Sequence, residues 1–567
     1  MGLNTALQIG RSGLLTAQTA LELTGNNLAN AATPGYHRNN VVLSAVASQR
    51  LGPNVYLGQG VQLDSIVRQT DEALEARIRG SISDGSYSQT RTDLLKQIES
   101  IEGEFTTVNV SSKLGKFFDS WSGLASKPQD DAKRTIVISE SETLARHIQQ
   151  IDSEIKDLRG QTDSAIKQSV VSVNDTLEQI GQLNQQIALS EQGTGNASSL
   201  RDQRDQLLAE LSKYMDVSTV EMPSGSVDVY VGSIPIVMNG QPQRIEVAYD
   251  TINGVSTPVI KAGKDKDPLV MNGGQLGALI DYRTIDLEKT IDSLDSLAKQ
   301  LIFEVNKQHS QSQGLSGFTD ITGTYTVQDS SAALNSVAAG MEFTPEHGSF
   351  KIHVKDKSTG QMTTSVINID LDGIGGDDTS LDSLVAQINS VAGISASISP
   401  SGQIKLNADG SNLEMSFSED SSGVLAALGV NTFFDGYNAT TIAVNDVIKS
   451  DSSKIASGRG HLAGDNTAAL AIDALRDEPI DGFNGTSITD FWNKHVQDLA
   501  VNISQSNSQA TADQTVKNSL EAQQQSISGV NVDEETINLM KYQQAYQASA
   551  RYLSTVQQLM ETLLSLA

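Results

Sequence analysis

The 567-residue chain contains no cysteine. Disulfides, thiolate metal sites and cysteine nucleophiles are therefore excluded. Basic residues are scarce beside acidic ones, 40 Lys plus Arg against 68 Asp plus Glu, for a formal charge of -28. A nucleic-acid reader needs a basic face to neutralise phosphates, so no nucleic-acid partner is expected. An anionic membrane surface would repel the chain for the same reason, so no membrane partner is expected either. No apolar run is long enough to cross a bilayer. The opening MGLNTALQIGRSGLL lacks the basic-then-apolar order of a secretory signal, so none is expected. Aromatic residues make up only 5 % of the chain. With so much Ser, Asn, Gln and Thr, this composition suits long polar helices and modest cores better than a deep catalytic cleft.

Catalytic and metal-binding patterns are missing too. The seven histidines are scattered and no HExxH occurs. His347 and His353 could share a strand face, but no third ligand stands near them in sequence. Asn368, Asp370, Asp372 and Gly373 echo the start of a calcium loop, yet Thr379 stands where a bidentate Glu is needed. Gly58-Gln59-Gly60 and Gly458-Arg459-Gly460 read as turns, without phosphate-loop context. The expectation is a structural protein with no metal, no cofactor and no catalytic residues.

What is present is periodicity, strongest at the two ends. Leu7, Leu14, Leu21 and Leu28 recur every seven residues, and Leu3, Gly10, Ala17, Thr24 and Ala31 form a second column at the same spacing. This four-then-three alternation predicts a coiled-coil helix, broken at Thr33-Pro34-Gly35. Near the other end, Leu539, Tyr546, Leu553 and Met560 form one column and Tyr542, Ser549, Val556 and Leu563 another. Ala545, Tyr552 and Leu559 add a third stripe, more than a two-helix seam requires. Asn531 with Glu534 predicts the start of this helix.

Between the ends, helical periodicity predicts segments at about 64–104, 112–125, 131–158, 162–189, 198–214, 275–307, 465–474 and 488–525. Within 162–189, Ile166, Val173, Ile180 and Ile187 alternate with Val170, Leu177 and Asn184 as a second coiled-coil-like seam. Alternating Val227, Val229 and Val231, the Met238-Asn239-Gly240 turn, then Ile245 and Val247 predict a hairpin-rich insert. Strand-like alternation with Gly, Ser and Asp turns fills about 311–450, with one short helix near 380–390.

The fold class expected is therefore multidomain and mainly α: coiled-coil terminal helices and a long helical bundle, with a β-hairpin insert and an inserted α+β outer domain. The expected division is a terminal domain, 1–92 with 519–567; a helical bundle, 93–310 with 451–518, carrying a β-rich insert at about 217–272; and an outer domain, 311–450.

Several segments resemble a known family. SGLLTAQTALELTGNNLANAATPGYHR, from Ser12 to Arg38, resembles the N-terminal signature of the flagellar axial proteins: the rod, hook and hook-associated proteins. Its specific part is Asn26-Asn27-x-Ala29-Asn30 with Gly35-Tyr36; His37 departs from the expected Ser or Thr, with no consequence anticipated. The Asp202-Gln203-Arg204-Asp205 stretch, the Gly273-to-Leu279 segment and the run from Gln523 to Leu553 are similar to the hook-associated members. The segment 311–450 shows no obvious match.

This resemblance implies a structural subunit at the junction of hook and filament, needed for filament assembly, in the extracellular flagellum. It implies export through the flagellar type III apparatus without a cleaved signal. The implied partners are copies of itself, the hook protein, a second hook-associated protein and an export chaperone on the C-terminal helix. The assembly interface would comprise Leu7, Leu14, Leu21, Asn27, Leu28 and Asn30 at one end. At the other it would comprise Leu539, Tyr542, Tyr546, Leu553, Val556, Met560 and Leu563. Two other readings stand beside this one: another axial protein, such as a hook protein or flagellin, or a surface adhesin carried by 311–450.

Overall fold

The computed structural model describes residues 2–566 except 53–54, 105–106, 108, 193–195, 253, 264–266 and 463. The chain is mainly helical, with small sheets between long helices. Among the described residues no helix is long and apolar enough to cross a membrane. The chain divides into two compact units, and each interleaves distant parts of the sequence.

The first unit comprises Met1–Leu94, Gln161–Thr284 and Ser504–Ala567. Its N-terminal helix, Gly2–Ala29, gives way to a turn through Thr33, Pro34 and Gly35, where Pro cannot continue the backbone ladder. Strands Asn39–Ala45 and Val61–Arg68 then pair antiparallel. The latter corrects the helix expected from residue 64: Ile66 lies in a strand opposite Val41, and the helix starts only at Glu72. Strand pairing outweighs the weak local helical signal there, as tertiary context often does. Gly60 lets this hairpin approach the N-terminal helix; a Cβ there would stand 2.3 Å from Ser12 Oγ, and its φ of +101° is open only to glycine.

The helices expected at 131–158 and 162–189 are one continuous helix, Asp131–Ser190. Gly160 costs about 1 kcal/mol in a helix, but buried Ile155 and Leu158 before it and Ile166 after it hold both flanking turns in place. Among the described residues the expected seam of Ile166, Val173 and Ile180 meets no second heptad helix. It forms one core with the helix Ser198–Tyr214 and the strands Val227–Val231 and Ile245–Ile252. Asn184, fully buried, explains the difference. It donates to Val227 O at 2.8 Å and accepts from Val227 N at 3.0 Å, so it completes a strand edge.

The second unit comprises Leu95–Gly160 and Ile285–Ile503. Two three-stranded antiparallel sheets and the helix Leu381–Asn389 surround a core that includes Phe350, Ile352, Leu384, Met415 and Phe417. The capping box of Ser380 and Ser383 starts that helix. Beside it, Phe117, Trp121, Phe433 and Phe434 form a cluster of edge-on and tilted rings around His309. His309 is fully buried; its ring contacts Asn431 O at 2.8 Å and accepts from Ala456 N at 2.9 Å. Burial holds its pKa down, from 6.5 to about 4. The unfolded chain therefore takes up a proton on this residue that the folded chain refuses. Stability should fall as pH drops from about 6.5 to 4, by roughly 3 kcal/mol from this group. Thermal melting across that range should show a shallower acid-side decline in His309→Gln than in the wild-type chain; equal slopes would remove His309 as the cause.

Candidate assembly site at the paired chain ends

The N-terminal helix packs antiparallel along the C-terminal helix, Val532–Leu566. Three pairings set the register: Asn27 bonds Glu535, Gly13 faces Ser549, and Gly10 lies beneath Leu553 and Tyr552. A Cβ on Gly10 would stand 2.8 Å from Leu553 Cγ, so the helices approach to a distance that only glycine permits at that position. The buried stripe of the N-terminal helix is small and partly polar: Gly10, Thr16, Ala17, Ala20, Thr24 and Asn27. On the facing helix Leu539, Tyr542, Tyr546, Leu553 and Met560 are half-buried, and Val556 is buried.

This arrangement shifts the expected seam by one column. The column Gly10, Ala17, Thr24 is in place, but its partner column is Gly13, Ala20, Asn27. Leu7, Leu14, Leu21 and Leu28 lie half-buried on the flank. Leu563, expected in the seam, is 53 % exposed because the register carries it past the start of the N-terminal helix. The third stripe stays uncovered: Tyr552 and Leu559 are exposed, as are Ile537, Met540 and Leu564 on the same helix. On the N-terminal helix Leu15 is also exposed.

At one end of the pair the signature residues form a buried polar knot. Asn27 uses its whole amide. It donates to Asn39 O (2.9 Å) and Glu535 Oε2 (3.1 Å), and accepts from Asn39 N (3.1 Å) and Tyr36 OH (2.8 Å). Arg38 forks across Glu534 and Glu535, at 2.8 and 2.7 Å, and its backbone N–H donates to Ser528 O at 2.9 Å. Asn531 starts the C-terminal helix as expected, accepting from Asp533 N and Glu534 N. Asn30 stays outside the knot. It closes its own helix end through Asn26 and Thr33. The loop at 31–38 and the turn at 524–531 enclose a cleft of about 690 Å³, so the two segments of strongest family resemblance face each other.

The knot continues into the Asp-Gln-Arg-Asp stretch. His37 Nδ1 lies 2.7 Å from Asp202 Oδ1, and Arg68 donates to Asp202 and Asp205, each at 2.7 Å. Gln206 donates to Pro34 O at 2.7 Å. Arg204 turns the other way, to Gly225 O and Asn184. This motif therefore clamps the signature loop on one side and the β-rich insert on the other. Its acid–base–acid order could have suggested such a bridge, but not the partners. His37, set aside as inconsequential, is central. Burial disfavours its charged form, yet the carboxylates of Asp202 and Glu75 outweigh burial and raise its pKa from 6.5 to about 9. His37, Asp202 and Asp205 could in principle hold a metal. The Arg68 guanidinium already bridges both carboxylates and supplies that charge.

The other expected polar patterns sit in the second unit. His353 is buried and bonds Thr364 and Ser418, apart from His347. His347 meets Asp370 at 3.2 Å at an exposed strand end. Asn368 lies in the strand Met362–Ile369, paired with Ser349, while His347, Asp370 and Asp372 bring their ligand atoms within 4.8 Å of one another.

Known proteins match this architecture along the chain. Residues 95–323 match the flagellar hook-associated protein FlgK helical domain. Residues 7–37 match the flagella basal body rod protein family, and 522–566 the flagellar basal body rod FlgEFG protein C-terminal family. Residues 349–410 match the flagellin hook IN motif, where no resemblance was evident in the sequence. Paired ends carrying rod-protein signatures, with the rest of the chain inserted between them, define a flagellar axial protein. Flagellar hook-associated protein 1 of Salmonella typhimurium is 27 % identical over 568 residues, with 98 % of each chain covered. The proteins of the same name from Escherichia coli K12 and Bacillus subtilis are 28 % and 23 % identical, covering 98 % and 100 % of this chain and 98 % of their own. The flagellar hook junction protein FlgK from Burkholderia pseudomallei shares the fold at a TM-score of 0.50 and 16 % identity, covering 80 % of this chain and all of that one. Over nearly its whole length the chain is similar to flagellar hook-associated protein 1.

Two outcomes follow from this geometry. Gly10→Leu should force the terminal helices apart and cost about 1–3 kcal/mol in urea unfolding of the full chain; an unchanged midpoint would contradict the close approach. For His37, whose folded pKa lies above its unfolded value, stabilisation is fully present below about pH 6.5 and is lost as pH rises through 9. Wild type should lose roughly 2–3 kcal/mol more than His37→Gln between pH 6.5 and 10, measured by melting at matched salt.

Proposed function

We propose that the chain is a structural subunit of the bacterial flagellum that forms the junction between hook and filament and is needed for filament assembly. The observation that carries this reading is the uncovered face of the C-terminal helix. Ile537, Met540 and Leu559 stand 51 to 61 % exposed, while another stripe of the same helix lies against the N-terminal helix. Each such side chain, about half exposed, still forgoes roughly 1–1.5 kcal/mol of burial. An apolar patch that meets a different patch on a neighbour makes a heterologous contact, and such contacts propagate into rings and helical layers.

In this reading 1–92 with 519–567 is the assembly domain, its helices joining a coiled-coil inner wall. The helical bundle, 93–310 with 451–518, carries the β-rich insert at about 217–272, and 311–450 is an α+β domain facing outward. Leu7, Leu14, Leu21 and Leu28 on the flank contact neighbouring subunits, together with Leu563 and the exposed stripe. Asn27, Asn30, Leu539, Tyr542, Tyr546, Leu553, Val556 and Met560 hold the paired helices in the form that assembles. The neighbours are copies of the chain, the hook protein and a second hook-associated protein. Before export by the type III route, a chaperone covers the apolar C-terminal helix. The assembled protein is extracellular, and its role is structural, not enzymatic.

The test is a pair of charges on the uncovered face. Leu559→Glu combined with Leu563→Glu should leave melting within roughly 0.5 kcal/mol of wild type, because both positions are exposed. Cells carrying this variant should make hooks without filaments. Normal swimming would refute the proposal.

A further inference from the structure

A cavity of about 480 Å³ lies in the first unit, between the helix Glu72–Glu102, the helix Ser198–Tyr214 and the strand Ser218–Glu221. Its volume falls within the range of small-molecule sites, about 300–1,000 Å³. Its floor is buried, formed by Arg204, Leu208 and Val227, and its rim is exposed at Glu72, Ala73 and Asn196. Four arginines line it: Arg68, Arg79, Arg201 and Arg204. Four carboxylates, Glu72, Glu75, Asp205 and Glu221, line it as well, so charge is balanced overall across the four arginines.

The four are not equally satisfied. Arg68 is held by Asp202 and Asp205, and Arg201 by Glu191 and Glu221. Arg79 is different. Its Nη2 donates to the neutral hydroxyl of Thr219 at 2.8 Å, its Nε–H is buried without an acceptor, and it forms no ion pair among the described residues. Of the three nearby carboxylates, Asp205 is engaged by Arg68 and Glu75 by Gln524 and His37, while Glu72 stands exposed on the rim. The Nε–H of the buried Arg204, which also lines the cavity, lacks an acceptor too, although its Nη2 stands 3.9 Å from Glu221. A largely buried cation with an unfilled donor edge is costly unless an anion completes it. The guanidinium edge is shaped to take two oxygens of one carboxylate or phosphate.

We propose that this cavity, which Arg204 also lines, binds a single oxyanion, a carboxylate or a phosphate, on the free edge of Arg79. The site is separate from the uncovered apolar face and does not depend on the assembly reading. The same chemistry could come from a free small anion or from an acidic side chain of a second copy, since the chain carries 68 Asp and Glu residues.

The experiment melts the full chain in increasing inorganic phosphate, against potassium chloride at equal ionic strength. Wild type should show a saturable rise in Tm, roughly 5 °C at a hundredfold excess over Kd. Arg79→Gln should show only the general stabilisation that phosphate gives any protein. Arg79→Lys, which keeps the charge and loses the fork, should bind at least tenfold more weakly and serves if the Gln variant fails to fold. An equal rise in wild type and Arg79→Gln overturns the proposal, as does a wild-type response no larger than that to chloride. An equal affinity in Arg79→Lys overturns it as well. Sedimentation of concentrated protein separates the two sources. Phosphate that dissolves self-association of wild type but not of Arg79→Gln assigns the site to a carboxylate of a second copy. Phosphate binding with no effect on sedimentation assigns it to a free anion.

Discussion

The rest of the terminal unit depends on one buried amide. Asn27 has two donors and two acceptor positions, and the fold fills all four, from the turn that follows its own helix and from Glu535, 508 residues further on. A buried amide left with an open valence costs about 1–3 kcal/mol, so the geometry around Asn27 is strongly specified. Tyr36, Asn39 and Glu535 must each stand where they do, and Arg38 must neutralise the buried Glu535 carboxylate. Apolar contacts alone would allow the helices to slide by a turn. The amide and the ion pair fix the register.

With the register fixed, the two sides of the terminal pair divide their work. The pairing side is built from glycine, alanine and threonine on one helix and larger residues on the other, so the Leu553 and Tyr552 side chains seat directly on Gly10. Leu539 and Leu553 of the C-terminal helix join the pairing, whereas Leu7, Leu14, Leu21 and Leu28 lie half-buried on the flank of the N-terminal helix and Leu559 is exposed on the C-terminal one. Small residues on one helix and large ones on the other thus share the pairing side, and several large apolar residues remain outside it.

The Asp-Gln-Arg-Asp stretch extends the same logic inward. Asp202 and Asp205 face the signature loop through His37 and Arg68, whereas Arg204 faces the β-rich insert through Gly225 and Asn184. Residues two positions apart on a helix point in different directions, so one short motif joins two substructures. Charges buried in this way contribute little net stability over an apolar core, but breaking one partner is expensive. This asymmetry favours one arrangement of the unit over its alternatives.

Much of this protein was legible in its residues. Helix positions followed from apolar periodicity, the start of the C-terminal helix from Asn531, and the hairpin turn from Asn239-Gly240, both of which adopt positive φ. The absence of cysteine and the acidic charge narrowed the function, and the Asn26-to-Tyr36 signature pointed to the family. Tertiary structure alone decided which column of a heptad faces the partner. Columns that begin at Leu7 and at Gly13 repeat with the same period, and hydrophobicity favours the first, but the close approach at Gly10 admits only the second. It also decided that residues 64–68 form a strand, because the partner strand lies more than twenty residues earlier. The weight of His37 and Asn184 was hidden for the same reason. A polar side chain gains its role from the groups buried with it, and those groups are distant in sequence, so local pattern carries no trace of them.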